Sequence, residues 1–312
     1  MSDRTRNTPE MSQSAASRRV AKVGLDSLDN LWFQVGGTLC NLACEHCFIS
    51  CSPQNDKFKM MSLAQIQPYL DEAVVLGVKE FYFTGGEPFL NDEIFDILEA
   101  TLAIGPATVL TNGTIITNRR ARELARLEAN SIYSLEIRVS LDGFDEPSND
   151  RLRGKGSFKL ALNGITRLVE QGMLPILTAV QTWSEAEHER MLAGFKQLLA
   201  DIGYTRPRFK IIPALDLGAY QQNKIGPAVT EYVTEEMLED FDRSQLICSN
   251  SRMVTNSGVH VCPILIDYPD SRMGESLKAT TGEYRLRHPA CYTCYLSGAI
   301  CSNFSSGGQS ER

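Results

Sequence analysis

The chain has 312 residues, 43% of them apolar, and sets 38 acidic side chains against 31 basic ones for a formal charge of -7. The length and apolar share allow one large domain, with or without a small appendage, around a sizeable core. The acidic balance offers no global basic field for nucleic acid, and the longest apolar runs are strand-sized, so neither a nucleic-acid nor a membrane partner is expected.

Residues 1–29 read as a disordered tail and lead-in. The opening "MSDRTRNTPEMSQSAASRRV" is polar, rich in Ser and Arg, and lacks the apolar stretch of a secretory signal, which places the chain in the cytoplasm. A strand–helix rhythm follows. "LWFQVGG" (31–37) is a short apolar strand ending in glycines, and "SLAQIQPYLDEAVVLG" (62–77) is a helix with Ser62 as N-cap and Gly77 as stop. "KEFYFTGG" then leads to "DEIFDILEATLAIG", "ATVLTNG" to "TNRRARELARLEA", and "SLEIRVSLDG" to "SFKLALNGITRLVEQG". "LPILTAVQT" precedes a helix over about 184–202, and "RFKIIPA" a helix near 229–242. Strands this apolar, alternating with helices, predict a parallel sheet covered by helices. Six units fit a partial, TIM-like (β/α)6 barrel over residues 30–243 better than a closed eightfold one, with a doubly wound sheet as the alternative. A small cysteine-rich extension over 244–304 and a Gly/Ser-rich tail over 305–312 complete the chain.

Nine cysteines without an export signal argue against disulfides, and they fall into two groups: 40, 44, 47 and 51, then 248, 262, 291, 294 and 301. Buried apolar thiols would be scattered through a core instead. Zinc sites usually draw on close pairs that are far apart in sequence. Cys40, Cys44 and Cys47 lie on one loop with no obvious fourth ligand, which suits a cubane iron–sulfur cluster with one iron left open. His46 is expected to shape that loop and Phe48 to shield the cluster. Cys51 would close the site if it ligated, and the Ser-Pro after it predicts that it turns away.

Cys40-x3-Cys44-x2-Cys47 after the first strand of a β/α series resembles the signature of the radical S-adenosylmethionine (SAM) superfamily, and the resemblance covers roughly residues 30–215. It implies an enzyme whose open iron is chelated by SAM. One electron from the 4Fe–4S cluster breaks the sulfonium bond, and a 5′-deoxyadenosyl radical takes hydrogen from a substrate. "TGGEP" (84–88) looks like the family's turn for the methionine amino group, which implies Gly85, Gly86 and Glu87 as SAM-binding residues. "LTNGT" (110–114) and "VSLDG" (139–143) would line the pocket, with Ser140 and Asp142 near the ribose. "RLRGKGSF" (151–158) resembles a loop whose arginine, here Arg153, lies near the SAM carboxylate.

In the second group, Cys248 and Cys262 flank a hairpin, "RMVT" then "NSG" then "VHV", and Cys291 and Cys294 form a close pair. Two pairs make a complete site, and a zinc ribbon is the rival. The arrangement is similar to the SPASM or twitch extension of radical SAM enzymes, which implies one auxiliary 4Fe–4S cluster on Cys248, Cys262, Cys291 and Cys294, with Cys301 a substitute ligand or a spare. Gly258 stands one residue closer to the second cysteine than in the usual pattern. The implied function is oxidative modification or maturation of a peptide or protein. The alternative is a dehydrogenase, cyclase or tetrapyrrole-modifying enzyme acting on a small molecule, and a non-catalytic iron–sulfur or zinc regulatory protein is the remote one. An external one-electron donor such as flavodoxin or ferredoxin is implied, as is a separate protein that could deliver a peptide.

Overall fold

The computed structural model describes residues 19–223 and 231–298. Strand β1 (Lys22–Val23) pairs antiparallel with a strand near the C-terminus, setting Val23 opposite Tyr284. Ala21 and Val23 are buried there, so the described part of the lead-in is clamped onto the cysteine-rich extension.

β2 (Asn30–Phe33) is buried at every position and begins the main sheet. Helix α1 (Leu63–Leu76) starts at Ser62, whose side chain caps the Gln65 N–H in a capping box, and ends at Gly77 in the left-handed region. In chain order come β3 (Glu80–Phe83), α2 (Ile94–Leu102), β4 (Ala107–Thr111), α3 (Asn118–Ala129) and β5 (Leu135–Ser140). Two helices follow, α4 (Glu146–Arg153) and α5 (Ser157–Glu170), then β6 (Ile176–Gln181), α6 (His188–Asp201), β7 (Arg208–Pro213) and α7 (Gly218–Asn223). Strands β2 to β7 are parallel and lie side by side in chain order. A doubly wound sheet reverses its order at a switch point, so this monotonic order rules that alternative out and matches the barrel-type reading. Ile66 and Leu70 of α1, Ile97 and Leu98 of α2, Leu124 of α3, Ile165 of α5 and Phe195 of α6 bury their apolar stripes against Phe33, Phe83, Val109 and Ile137 of the sheet.

The helix expected near 229–242 is not present in the described part of that range. Residues 231–242 hold one 3-10 turn, Glu236–Leu238. The acidic run "TEEMLED" has helical propensity, but of its apolar side chains Leu238 is buried and Met237 half-buried, too little apolar face to fix a longer helix. Beyond it, α8 (Ile247–Asn250), β8 (Ser251–Thr255), β9 (Gly258–His260), β10 (Arg272–Gly274), β11 (Tyr284–Arg285) and α9 (Pro289–Ser297) form the extension. The expected hairpin is β8–β9, with Val254 opposite Val259. Its first strand adds to the main sheet, parallel to β2, with Trp32 opposite Met253. The nine-stranded sheet therefore runs β10-β9-β8-β2-β3-β4-β5-β6-β7 across both parts of the chain.

Candidate active site and second cysteine site

The loop after β2 carries the first cysteines over the C-terminal ends of the strands. It is held by main-chain bonds to the turn after β3: Gly86 N–H donates to the Gly37 carbonyl (2.9 Å) and Glu87 N–H to that of Leu39 (3.1 Å). A Cβ on Gly86 would fall 1.9 Å from the Leu39 carbonyl oxygen, so only glycine lets these two backbones meet. The glycines of "TGGEP" thus serve a loop contact as well as the cavity they line.

One cavity of about 180 Å3 opens here, lined by Cys40, Cys44, Cys47, Gly85, Gly86, Ser140 and Arg153 among others. The three loop cysteines and four of the six residues expected at SAM therefore converge. Glu87 and Asp142 do not line it. Glu87 is fully buried and turned toward the end of β4, where its oxygens accept from Thr111 Oγ1 (2.7 Å), Asn112 N–H (2.8 Å) and Phe89 N–H (3.1 Å). Burial raises its pKa against these donors. Asp142 is equally hidden. It accepts from the Val180 N–H (2.7 Å) and pairs with Arg153 Nε (2.5 Å) and His46 Nε2 (2.9 Å). The Arg153 contact is an ion pair without hydrogen-bond alignment, since neither atom has a well-directed partner. Burial pushes the Asp142 pKa up, but Arg153, His46 and the Val180 N–H outweigh it and hold the group below the usual carboxylate range. The Asp142 carboxylate, expected near the ribose, anchors the cavity wall from behind through Arg153 and His46. His46 does shape the loop, by tying it to Asp142, while its buried Nδ1 has no partner in the structure.

Cys51 is also corrected. It does not turn away but lines the same cavity, and its N–H donates to Cys47 Sγ (3.2 Å). The Cys51 side chain and that N–H lower the Cys47 pKa to about 6, whereas burial raises Cys40 to about 12 and raises Cys44 despite the adjacent Arg153. Two cavity residues escaped the sequence reading as individuals. Asn112 Nδ2 reaches Cys40 Sγ (3.7 Å) and Asn41 Oδ1 (2.9 Å), and Thr178 presents a buried hydroxyl without a partner. Asn112 was legible only as part of the turn former "TNG", and nothing local marked Thr178.

The second group assembles as expected. Cys248 on α8, Cys262 after β9, and Cys291 and Cys294 on one face of α9 line a single cavity whose other walls are apolar, including Ile264, Leu265 and Leu286. Gly258 takes φ +114° in the hairpin turn, where a Cβ would fall 2.6 Å from the Gly274 carbonyl. Cys301 lies outside the described residues. The cysteines within them are free thiols. Among the described residues no three His, Cys, Asp or Glu side chains come close enough to hold one metal ion. A 4Fe–4S cubane carries its irons at alternate corners, each taking its own thiolate, so the thiolates stand farther apart than the ligands of a single ion, and the donor chemistry of both thiol sets suits such a group. The unpartnered His46 Nδ1 and Thr178 hydroxyl are also what a cavity awaiting a polar ligand presents.

The pattern that defines the Radical SAM superfamily matches residues 35–191, and the chain belongs to that superfamily. The cofactors of the family are a 4Fe–4S cluster and SAM. Among curated proteins, the chain is 34% identical to the mycofactocin maturase MftC of Mycolicibacterium smegmatis over 134 residues, 43% of this chain and 32% of that one. It is 30% identical to the AdoMet-dependent heme synthase of Nitratidesulfovibrio vulgaris over 138 residues, 43% of this chain and 35% of that one. Among solved structures, Streptococcus suis SuiB bound to its precursor peptide SuiA aligns with a TM-score of 0.60 at 16% identity, covering 79% of this chain and 62% of SuiB, and bears on the fold alone. The chain thus spans about a third of the length of the curated relatives it matches. Among the described residues no helix is long and apolar enough to cross a membrane.

Proposed function

We propose that the chain modifies a peptide or protein by radical SAM chemistry, with residues 30–243 as the barrel, 244–304 as an auxiliary-cluster domain, 1–29 as a tail and lead-in whose Lys22–Val23 strand packs on that domain, and 305–312 as a tail. The observation that carries this reading is the convergence of Cys40, Cys44 and Cys47 with Gly85, Gly86, Ser140 and Arg153 on one cavity at the strand ends. In this reading Cys40, Cys44 and Cys47 would hold a 4Fe–4S cluster with SAM beside it, and that pair would supply radical hydrogen abstraction. Arg153 sets a buried cation where a carboxylate can bind, Ser140 offers a hydroxyl to the ribose, and the Gly85–Gly86 turn offers main-chain groups to the methionine end. Glu87 and Asp142 act behind that wall, holding the β4 end and Arg153. Cys248, Cys262, Cys291 and Cys294 hold a second 4Fe–4S cluster.

The relation to a maturase supports a peptide substrate. A heme synthase at similar identity supports the second reading, a small-molecule substrate. A flavodoxin- or ferredoxin-type donor would supply the electron, and a separate protein could deliver the peptide. A reducing cytoplasm suits this many free thiols. Anaerobically reconstituted, reduced protein is expected to release 5′-deoxyadenosine and methionine from SAM. Cys40→Ala, Cys44→Ala and Cys47→Ala proteins are each expected to release none. No product from the intact protein would overturn the reading and favour a non-catalytic metal-binding role.

A further inference from the structure

The hairpin strand β8 carries a buried charge that the site described above leaves unused. Arg252 is 1% exposed. Its Nη1 donates to the carbonyls of Cys248 (2.8 Å), Ser251 (2.7 Å) and Val261 (3.5 Å), and its Nε and Nη2 both donate to the carbonyl of Thr280 (3.0 and 2.7 Å). These partners are neutral main-chain oxygens. Two other buried cations are treated differently: Arg138 meets the Glu136 carboxylate at 3.0 Å, and Arg153 meets Asp142 at 2.5 Å. A guanidinium does not neutralise itself by losing a proton near pH 7, so burying one without a counter-anion costs several kcal/mol.

The carbonyls it grips locate the missing anion. One belongs to Cys248, and another to Val261, immediately before Cys262. The four thiols of this site are buried and, as thiols, carry no charge. Once deprotonated around a doubly charged metal group, they make a centre with a net charge of about -2, by the charge count of four thiolates against such a group. The fold has placed its counter-charge in advance.

We propose that Arg252 is the built-in counter-cation of the centre held by Cys248, Cys262, Cys291 and Cys294, and that it biases this centre toward accepting an electron. The proposal rests on the reading of that site as a 4Fe–4S centre. Reduction adds one negative charge, and a fixed cation in a dry surround favours the more negative state, so the potential rises. Arg252 is a positioning residue that acts through charge, its own contacts being main-chain carbonyls.

The test uses full-length protein with Cys40, Cys44 and Cys47 changed to Ala, so that only the second centre is observed. Its midpoint is measured by potentiometric titration followed by electron paramagnetic resonance. Arg252→Gln keeps donors for the Thr280 carbonyl but removes the charge. It is expected to lower the equilibrium constant for reduction at least tenfold, about 59 mV for one electron. Arg252→Lys keeps the charge and should stay closer to the parent than to the Gln protein. An unchanged midpoint in Arg252→Gln, or an equal shift in both variants, overturns the proposal. Should the Gln protein fail to hold iron, retention by the Lys protein sustains it, and equal loss from both overturns it. Zinc in place of iron in the parent, before any change at Arg252, marks failure of the cluster reading itself and takes the electron-accepting role with it.

Discussion

Cys51 separates two designs for the first cysteine loop. If it ligates, all four irons are held and SAM has no place to bind; if it only donates to Cys47 Sγ, one iron stays open. Hydrogen bonds to cluster sulfurs help set the potential. That donor is the main-chain N–H, which alanine retains, so Cys51→Ala is expected to keep its cluster, cleave SAM and hold a midpoint close to the parent's, whereas Cys44→Ala loses both. Cluster loss in Cys51→Ala, read from the visible absorbance, would make it a ligand. Glu87 belongs to the same scale. Its three donors are all N–H or O–H groups, so Glu87→Gln places an amide NH2 where acceptors are needed. The change should cost about 1–3 kcal/mol of stability in denaturant unfolding. SAM affinity should fall only through disturbance of Asn112. A hundredfold loss of affinity with unchanged stability would return Glu87 to direct contact with SAM.

At the scale of elements, the site depends on close meetings between loops. Gly86→Ala forces a Cβ into the Leu39 carbonyl and should cost about 3 kcal/mol, at the upper end for overpacking, with thermal unfolding as the readout. In the extension, Asp270 joins the turn before β10 to the segment around β11 and α9. It accepts from Tyr284 Oη (3.0 Å), Arg287 Nε (3.0 Å) and His288 Nε2 (3.0 Å). Burial raises its pKa, but His288, Arg287 and Tyr284 overcome this and bring it to about 2. A carboxylate with a depressed folded pKa stabilises fully above its unfolded value and loses that contribution as pH falls through the folded one. The stability gap between the parent and Asp270→Asn should thus close as pH falls from about 4 to about 2. A gap independent of pH across that window would mean that these contacts add no charge-dependent stability.

The whole molecule shows how far residue order alone reached. The strand–helix alternation and the thiol groupings were legible because residue type and spacing are local properties. Thus α1 runs between Ser62 and Gly77 as its caps foretell, and four thiols 46 positions apart at their extremes share one cavity. Side-chain direction was not legible. Whether Glu87 and Asp142 face a ligand or the fold depends on Thr111, Asn112, Arg153 and His46, which reach them through tertiary structure. Nor could spacing show β8 joining β2, a pairing between residues about 220 positions apart. That pairing matters for function, because it makes one continuous sheet carry both cysteine sites. Iron analysis should find about eight irons per chain after anaerobic reconstitution and about half that in the Cys40/Cys44/Cys47 triple-Ala protein, on the stoichiometry of two four-iron clusters.

The central claim is that the first cluster keeps an iron open for SAM. It is tested most directly by electron paramagnetic resonance of reduced protein in which Cys291 and Cys294 are changed to Ala, so that only the first cluster contributes. Adding SAM is expected to change the spectrum of that cluster, because a ligand reaches one of its irons. An intact cluster whose spectrum does not respond to saturating SAM would contradict the account.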